Sequence, residues 1–279
     1  MEYNFSGNFI NVFKHLSLCE VLKIEKPIRY HETNSASAEH VLYKDKDTTY
    51  GIYHLLKSKN EIFNESIYID ILKENGLNEG KFLGSPSFAM NILKSETEYH
   101  FHDIDKNALN NIKSYILKNN FKFYYKNYLG DSIETFLDDS YILNSNDFIH
   151  IDPYEIFDKN NCDHSFLDVF EKAIICKSKV FMWYGFGNLN DKQKNNEYFK
   201  KVSDKYKIDI IRFEVWQSCM KEFDCDIKMN GITGCGIACV NLSNESIQIL
   251  KKHLLLMNSL YEKTLYNGVH APLLVDMTK

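Results

Sequence analysis

Seven apolar, strand-like stretches recur along this chain, and helical patterns separate most of them. Six strands are read at 28–31, 99–105, 121–125, 148–151, 179–184 and 208–215, and 231–241 reads as a glycine-rich turn, with Gly234 and Gly236 in it, leading into a seventh, buried strand. Helical spacing is read within 1–26 (apolar from Val12 to Leu22, ended by Pro27) and over 108–118, 133–137, 166–176, 195–206 and 246–260, the last followed by a polar tail. Two parallel strands cannot be joined by a tight turn, so a chain that alternates in this way builds an α/β fold. The expected architecture is a mostly parallel seven-stranded sheet, helices on both faces and a closing antiparallel pair. Such sheets bind ligands over the carboxyl ends of their strands. The residues that terminate each strand are therefore where chemistry is sought.

After the first strand come Glu32, Thr33, Asn34, Ser35, Ala36, Ser37 and Ala38, a small and polar run that lets backbone approach a ligand. The second strand ends in Asp103 and Asp105, which compete for the role of ribose acceptor. Gly130, Asp131 and Ser132 follow the third. There the acid faces an adenine amine or simply caps a helix. The fourth strand, Phe148 to Ile151, stops at Asp152, Pro153 and Tyr154. A carboxylate accepts amine hydrogens, a proline fixes the backbone, and an aromatic ring stacks on an extruded base. The same three residues also make an ordinary turn. Gly84, Ser85 and Pro86 open a helix, with serine and proline favoured at its first positions. Lys14 and His15 lie mid-helix, either directed at a ligand or set on a solvated face.

With 279 residues and 44% hydrophobic content, one large domain spanning 1–279 is expected, carrying a helical insertion at 43–83. No apolar run is long enough for a bilayer and the amino terminus lacks a signal-peptide pattern, so a cytoplasmic protein with no membrane contact is expected. The 33 Lys and Arg against 38 Asp and Glu leave a net charge of −5, which argues against gripping a long duplex but not against a local basic groove. Seven cysteines without a CxxC pair fit free thiols in a reducing compartment. Cys235 and Cys239, with Cys219 and Cys225 nearby, have poor spacing for ligands, and no metal is expected.

The order of these pieces resembles the RlmJ family of ribosomal RNA adenine-N6 methyltransferases, over most of the chain outside the insertion. Phe5 to His15, with Gly7, Asn8, Val12, Lys14 and His15, is similar to the family's HAGNxxDVxKH opening. Tyr30 to Ala38 stands where it has YxDTHAGAG, Gly84-Ser85-Pro86 where it has GSP, and Asp152-Pro153-Tyr154-Glu155 where it has DPPYE. Trp183-Tyr184 and the run 231–241 also have counterparts.

The resemblance implies a class I, Rossmann-like methyltransferase using S-adenosylmethionine and releasing S-adenosylhomocysteine. By position, Lys14, His15, Asn34, Ser85, Asp103, Asp131 and Ser132 would contact the donor. Asp152, Pro153 and Tyr154 would form the catalytic turn. Tyr3, Asn8 and Tyr154 would touch the acceptor. The partner would be nucleic acid, RNA ahead of DNA, and the protein a monomer or weak dimer. Three departures stand out. Ala36 and Ala38 replace glycines, so the donor loop is narrowed or displaced. The DPPY turn lacks one proline, which shifts Tyr154 relative to Asp152. The closing NPPW is Asn241-Leu242-Ser243-Asn244. Two functions follow: N6 methylation of adenine in RNA or DNA, or the same donor used on a small molecule or peptide.

Overall fold

A computed structural model describes residues 7–58, 65–218, 232–266 and 268–279. The chain runs α1 (Phe9–Glu25), β1 (Arg29–Glu32), β2 (Glu39–Val41), α2 (Lys46–Tyr50), α3 (Ile52–Lys57), α4 (Ile67–Glu74), β3 (Lys81–Leu83), α5 (Ser85–Leu93) and β4 (Glu98–Asp103). It continues through α6 (Lys106–Lys118), β5 (Tyr125–Leu129), α7 (Ser132–Leu137), β6 (Asp147–Ile151), α8 (Phe166–Ile175), β7 (Lys179–Phe186) and α9 (Leu189–Tyr206). It closes with β8 (Ile211–Gln217), β9 (Gly234–Val240), α10 (Asn244–Tyr261), β10 (Leu265–Tyr266), β11 (Val269–His270) and β12 (Leu273–Thr278).

Among the described residues the main sheet has eight strands, ordered β12-β8-β9-β7-β6-β1-β4-β5. Strands β5, β4, β1, β6 and β7 are mutually parallel, and β9 runs antiparallel between β7 and β8. Apart from β12, this is the strand order of the class I methyltransferase fold. The extra strand corrects the seven expected: Leu273–Thr278, read as a polar tail, pairs antiparallel with β8 from Leu273↔Gln217 to Thr278↔Arg212. As an edge strand it buries fully only Leu273, so its sequence carries little apolar signal.

Side chains alternate across the sheet, which produces two cores. Phe148, Phe181, Trp183, Ile237 and Cys239 face one way, toward α1, α5 and α10. Ile149, Ile151, Val180, Met182 and Ala238 face the other way, toward α7, α8 and α9. Cys235 and Cys239 share a face of β9 but stand four residues apart on extended chain, about 13 Å, too far to share a metal ion. Cys219 and Cys225 lie outside the described residues.

Gly234 and Gly236, read as part of a turn, instead lie inside β9. A Cβ on Gly236 would stand 2.3 Å from the Tyr184 ring, and one on Gly234 2.3 Å from Phe186. These glycines are seats for aromatic rings. The third strand also moves, to Tyr125–Leu129 from the expected 121–125. Phe121 and Phe123 are apolar because they pack against the core where the chain leaves α6, not because they pair in the sheet.

Between β1 and β4, helices α2, α3 and α4 precede α5, and β2 pairs antiparallel with β3. Gly51 presses this segment onto the start of α1: Ile52 N–H donates to Gly7 O at 2.8 Å, and a Cβ on Gly51 would fall 2.2 Å from the same oxygen.

Candidate active site

β1 sits at the centre of the parallel strands, with β4 on one side and β6 on the other. The loops that leave β1 and β6 therefore start side by side. Thr33 N–H donates to His150 O at 3.1 Å, and Asp152 N–H reaches Thr33 Oγ1 at 3.4 Å. A cavity of about 390 Å³ opens over these strand ends. That falls within the range of small-ligand sites, roughly 300–1,000 Å³.

Most of the residues singled out from the sequence line this cavity: Asn8, Lys14, His15, Asn34, Ser85, Asp103, Asp152, Pro153 and Tyr154. Tyr3 lies outside the described residues. Asp131 and Ser132 are not among the lining residues. Asp131 caps α7, accepting from Ile133 N–H at 2.8 Å and from Asn160 Nδ2 at 2.7 Å, and Ser132 is buried. Of the two readings open for that acid, the cap is the one the structure contains. Asp105 likewise caps α6, accepting from Asn107 N–H at 2.8 Å, which leaves Asp103 as the acid of the β4 end that lines the cavity, alongside Asp152.

One wall is the 34–38 loop, tied down by backbone contacts. Ser35 N–H donates to His102 O at 3.0 Å, and Ser87 Oγ donates to Ala38 O at 2.5 Å. Gly84 closes on Ser37 so tightly that a Cβ would stand 2.1 Å from its carbonyl oxygen. Ala36 takes φ +50°, a left-handed turn that favours glycine. The methyl group has not flattened the turn, and Ala36 N–H donates to Asp103 Oδ2 at 2.8 Å. Asp105 N–H holds Asp103 Oδ1 at 2.7 Å. Each oxygen keeps a lone pair, so the carboxylate is fixed and still able to accept from a diol. Burial pushes its pKa up despite the backbone amides of Asp105, Ala36 and Ile104, which act in the opposite sense.

The opposite wall comes from α1, which buries nearly its whole circumference. His15 is buried against Phe88 and Phe82, its ring centroid 5.1 Å and 5.9 Å from theirs. Burial, with Lys14 next, drives its pKa well down, so the ring is neutral. Its Nδ1 has no hydrogen-bond partner among the described residues. Lys14 Nζ donates to Asp152 Oδ2 at 2.6 Å and stands 5.5 Å from the Trp183 ring centroid. Neither residue sits on a solvated face. Asn34 Oδ1 accepts from Thr33 Oγ1 at 2.7 Å. Asn8 caps α1, accepting from Asn11 N–H at 2.9 Å.

The apolar part of the cavity escaped sequence reasoning. Ile10, Phe82, Ile104 and Ile232 line it, and Ile104 is 78% exposed. Ile104 carries one usable signal, an aliphatic residue directly after the acid that ends β4. His40, pushed by burial to a pKa of about 4, was also missed.

The cavity lining bears on whether S-adenosylmethionine, the cofactor that this fold implies, fits here. Asp103 has free lone pairs for a diol, Ile104 offers an apolar surface for a base, and the unpartnered His15 Nδ1 awaits a polar contact. The donor set fits.

No protein-family model and no curated protein matches the chain. Among solved structures, protein LPL1258 from Legionella pneumophila, of family DUF519, superposes with a TM-score of 0.72 at 20% identity, over 97% of each chain. A putative O-methyltransferase from Klebsiella pneumoniae gives a TM-score of 0.43 at 8% identity, over 81% of this chain and 79% of that one. The O-methyltransferase TomG from Streptomyces achromogenes, crystallised with its methyl donor, gives 0.42 at 8%, over 81% and 79%. The likeness to the Legionella protein is one of fold.

Proposed function

We propose that this protein is an S-adenosylmethionine-dependent methyltransferase of the RlmJ type, acting on the exocyclic N6 amine of adenine in RNA. One observation carries the reading: Asp152, Pro153 and the exposed Tyr154 share a single cavity with Asp103 and the Ala36 turn. A carboxylate for an amine and a carboxylate for a diol stand at the two ends of one crevice.

When bound, S-adenosylmethionine supplies an electrophilic methyl group on a sulfonium. Asp103, the 34–37 loop, Ser85 and His15 would hold it. Lys14 occupies Asp152 Oδ2 and so fixes the carboxylate plane, leaving Oδ1 to accept an amine hydrogen. Tyr154, 75% exposed at the rim, offers a ring to the base bearing that amine. Trp183 and the buried Pro153 keep water from the carboxylate's inner side. Most of the rate would come from alignment, because the departing group is already activated.

The net charge of −5 favours a second reading, the same donor used on a small molecule. Incubation with methyl-labelled donor and separate RNA, DNA, protein and metabolite pools decides between them. Label in RNA, recovered as N6-methyladenosine, is expected. Label confined to metabolites would overturn the acceptor, and no thermal shift with millimolar S-adenosylhomocysteine would overturn the donor. Asp152→Asn should abolish transfer while donor affinity stays within a few-fold, as measured by calorimetry.

A further inference from the structure

A second cavity of about 200 Å³ adjoins the first across Tyr154 and Ile232, which line both. It runs from the Asp152 turn toward the carboxyl end of β7 and the first turns of α9, bounded by Phe157, Gly185, Gly187, Asp191 and Lys194. At this size it is too small to enclose a whole small-molecule acceptor, for which roughly 300–1,000 Å³ is usual. It has room for one moiety of a larger one.

Its charges differ in how they are used. Asp191 Oδ2 is taken by the start of α9, accepting from Gly187 N–H at 3.3 Å and Asn188 Nδ2 at 2.8 Å. Glu155 accepts from Phe157 N–H at 3.4 Å. Lys14, the cation of the neighbouring cavity, is held by Asp152. Lys194 forms no ion pair among the described residues. It is exposed, with Nζ 3.7 Å from the centroid of the Phe157 ring. Phe157 is itself braced edge-on by Tyr198 at 6.1 Å. Asp191 and Glu155 line the same cavity, but among the described residues neither pairs with Lys194, so its ammonium rests on a braced ring with donors left for an anion.

We propose that this second cavity receives the nucleotide adjoining the target in a single strand, with Lys194 binding the phosphate that links the two. The inference rests on the methyltransferase reading above, in which the acceptor is RNA, and adds where the strand is held: the cavity beside Tyr154, with Lys194 at the linkage next to the target nucleotide. Tyr154, on the shared rim, would separate the extruded base from its neighbour. One phosphate contact made on the methyl-acceptor side also reconciles strand binding with an acidic protein, since no long basic track is required.

The test uses the full chain saturated with S-adenosylhomocysteine and two probes: a ten-nucleotide oligoadenylate RNA and adenosine monophosphate. Lys194→Ala should weaken oligoadenylate binding roughly tenfold, as for one lost charge-assisted contact, and leave the mononucleotide unchanged. The slope of log affinity against log salt should fall by about 0.7, the share of one phosphate on a single strand. Lys194→Arg should restore both. In methyl transfer to RNA, the Lys194→Ala effect should appear in KM more than in kcat. If wild-type protein labels RNA and Lys194→Ala moves neither slope nor KM, the subsite is wrong and the methyltransferase reading stands. If RNA is never labelled yet oligoadenylate binding depends on Lys194 as described, the subsite stands and the catalytic reading falls. Equal losses for both probes would also overturn the subsite.

Discussion

Ala36→Gly should stabilise this protein, although glycine substitutions normally do the opposite. At φ +50° the Ala36 methyl crowds its own backbone, a conformation that costs an L-residue roughly 1–2 kcal/mol. Glycine removes that cost but adds unfolded-state freedom worth roughly 0.5–1 kcal/mol. The difference favours the variant by about 0.5–1 kcal/mol. The hydrogen bond from residue 36 to Asp103 Oδ2 is made by backbone N–H, so the substitution leaves it intact. For a chain of this size the melting temperature should rise by about 1–4 °C. Ala38→Gly is the control. Ala38 belongs to the same loop but is fully buried and is not in the left-handed region. There glycine adds the entropy cost and removes a packed methyl, so stability should fall by about 1 kcal/mol or more. Urea denaturation of the two variants beside the parent measures both signs. If Ala36→Gly loses stability as Ala38→Gly does, the left-handed turn in the 34–38 loop is not strained.

Two further outcomes follow from packing and protonation. Gly236→Ala puts a methyl 2.3 Å from the buried Tyr184 ring, whose hydroxyl donates to Glu214 Oε1 at 2.8 Å. Moving the ring sacrifices both packing and that charged hydrogen bond, for about 3 kcal/mol or more in urea denaturation; a loss under about 1 kcal/mol would show that the strand yields instead. Burial, with His31 beside them, pushes His100 down to a pKa of about 3 and His102 to about 2. The unfolded histidine takes its proton near pH 6.5 and the folded one refuses it, so stability falls as pH drops below about 6.5, by about 1.4 kcal/mol per pH unit for each such histidine. The urea midpoint should decline between pH 6.5 and 5, before carboxylates titrate, and His102→Phe should flatten the slope by about one proton. A midpoint constant over that range would contradict the burial of these rings.

What could be read from the sequence was what a single strand or helix end determines by itself. The period-two apolar run before Asp152 places that acid at a strand terminus wherever the strand lies. The same holds for Asp103, and serine with proline after Gly84 fixes the start of α5 without tertiary information. Features that depend on a partner were not legible. Asp103 and Asp105 look alike until α6 claims one of them as its cap. Phe121 and Phe123 look like strand residues because packing against a helix exit and packing in a sheet select the same side chains. Gly234 and Gly236 look like a turn because a glycine that receives a ring and a glycine that bends the chain are the same letter. Leu273–Thr278 was missed because an edge strand half-open to water needs few apolar residues.

The joining of Asp152 to the 34–37 loop, by contrast, follows from topology and needed no residue-level accident. Chain leaving β1 passes through α5 on one face to reach β4, whereas β6 is reached through α7 and continued by α8 on the other face. The two loops therefore part in opposite directions from adjacent strand ends, and a crevice opens between them. Asp152 at the end of β6 and the 34–37 loop at the end of β1 thereby line one cavity. What topology does not supply is a wall for that gap. Here α1 supplies it, because a helix buried on nearly all sides can carry Lys14 to Asp152 without exposing either one. The Lys14–Asp152 pair thus locks the amino-terminal helix to the turn after β6. Its loss in Lys14→Met should release the orientation of Asp152 and, on the methyltransferase reading, lower kcat by a larger factor than it weakens donor binding measured by calorimetry; an unchanged kcat would refute that role for the pair.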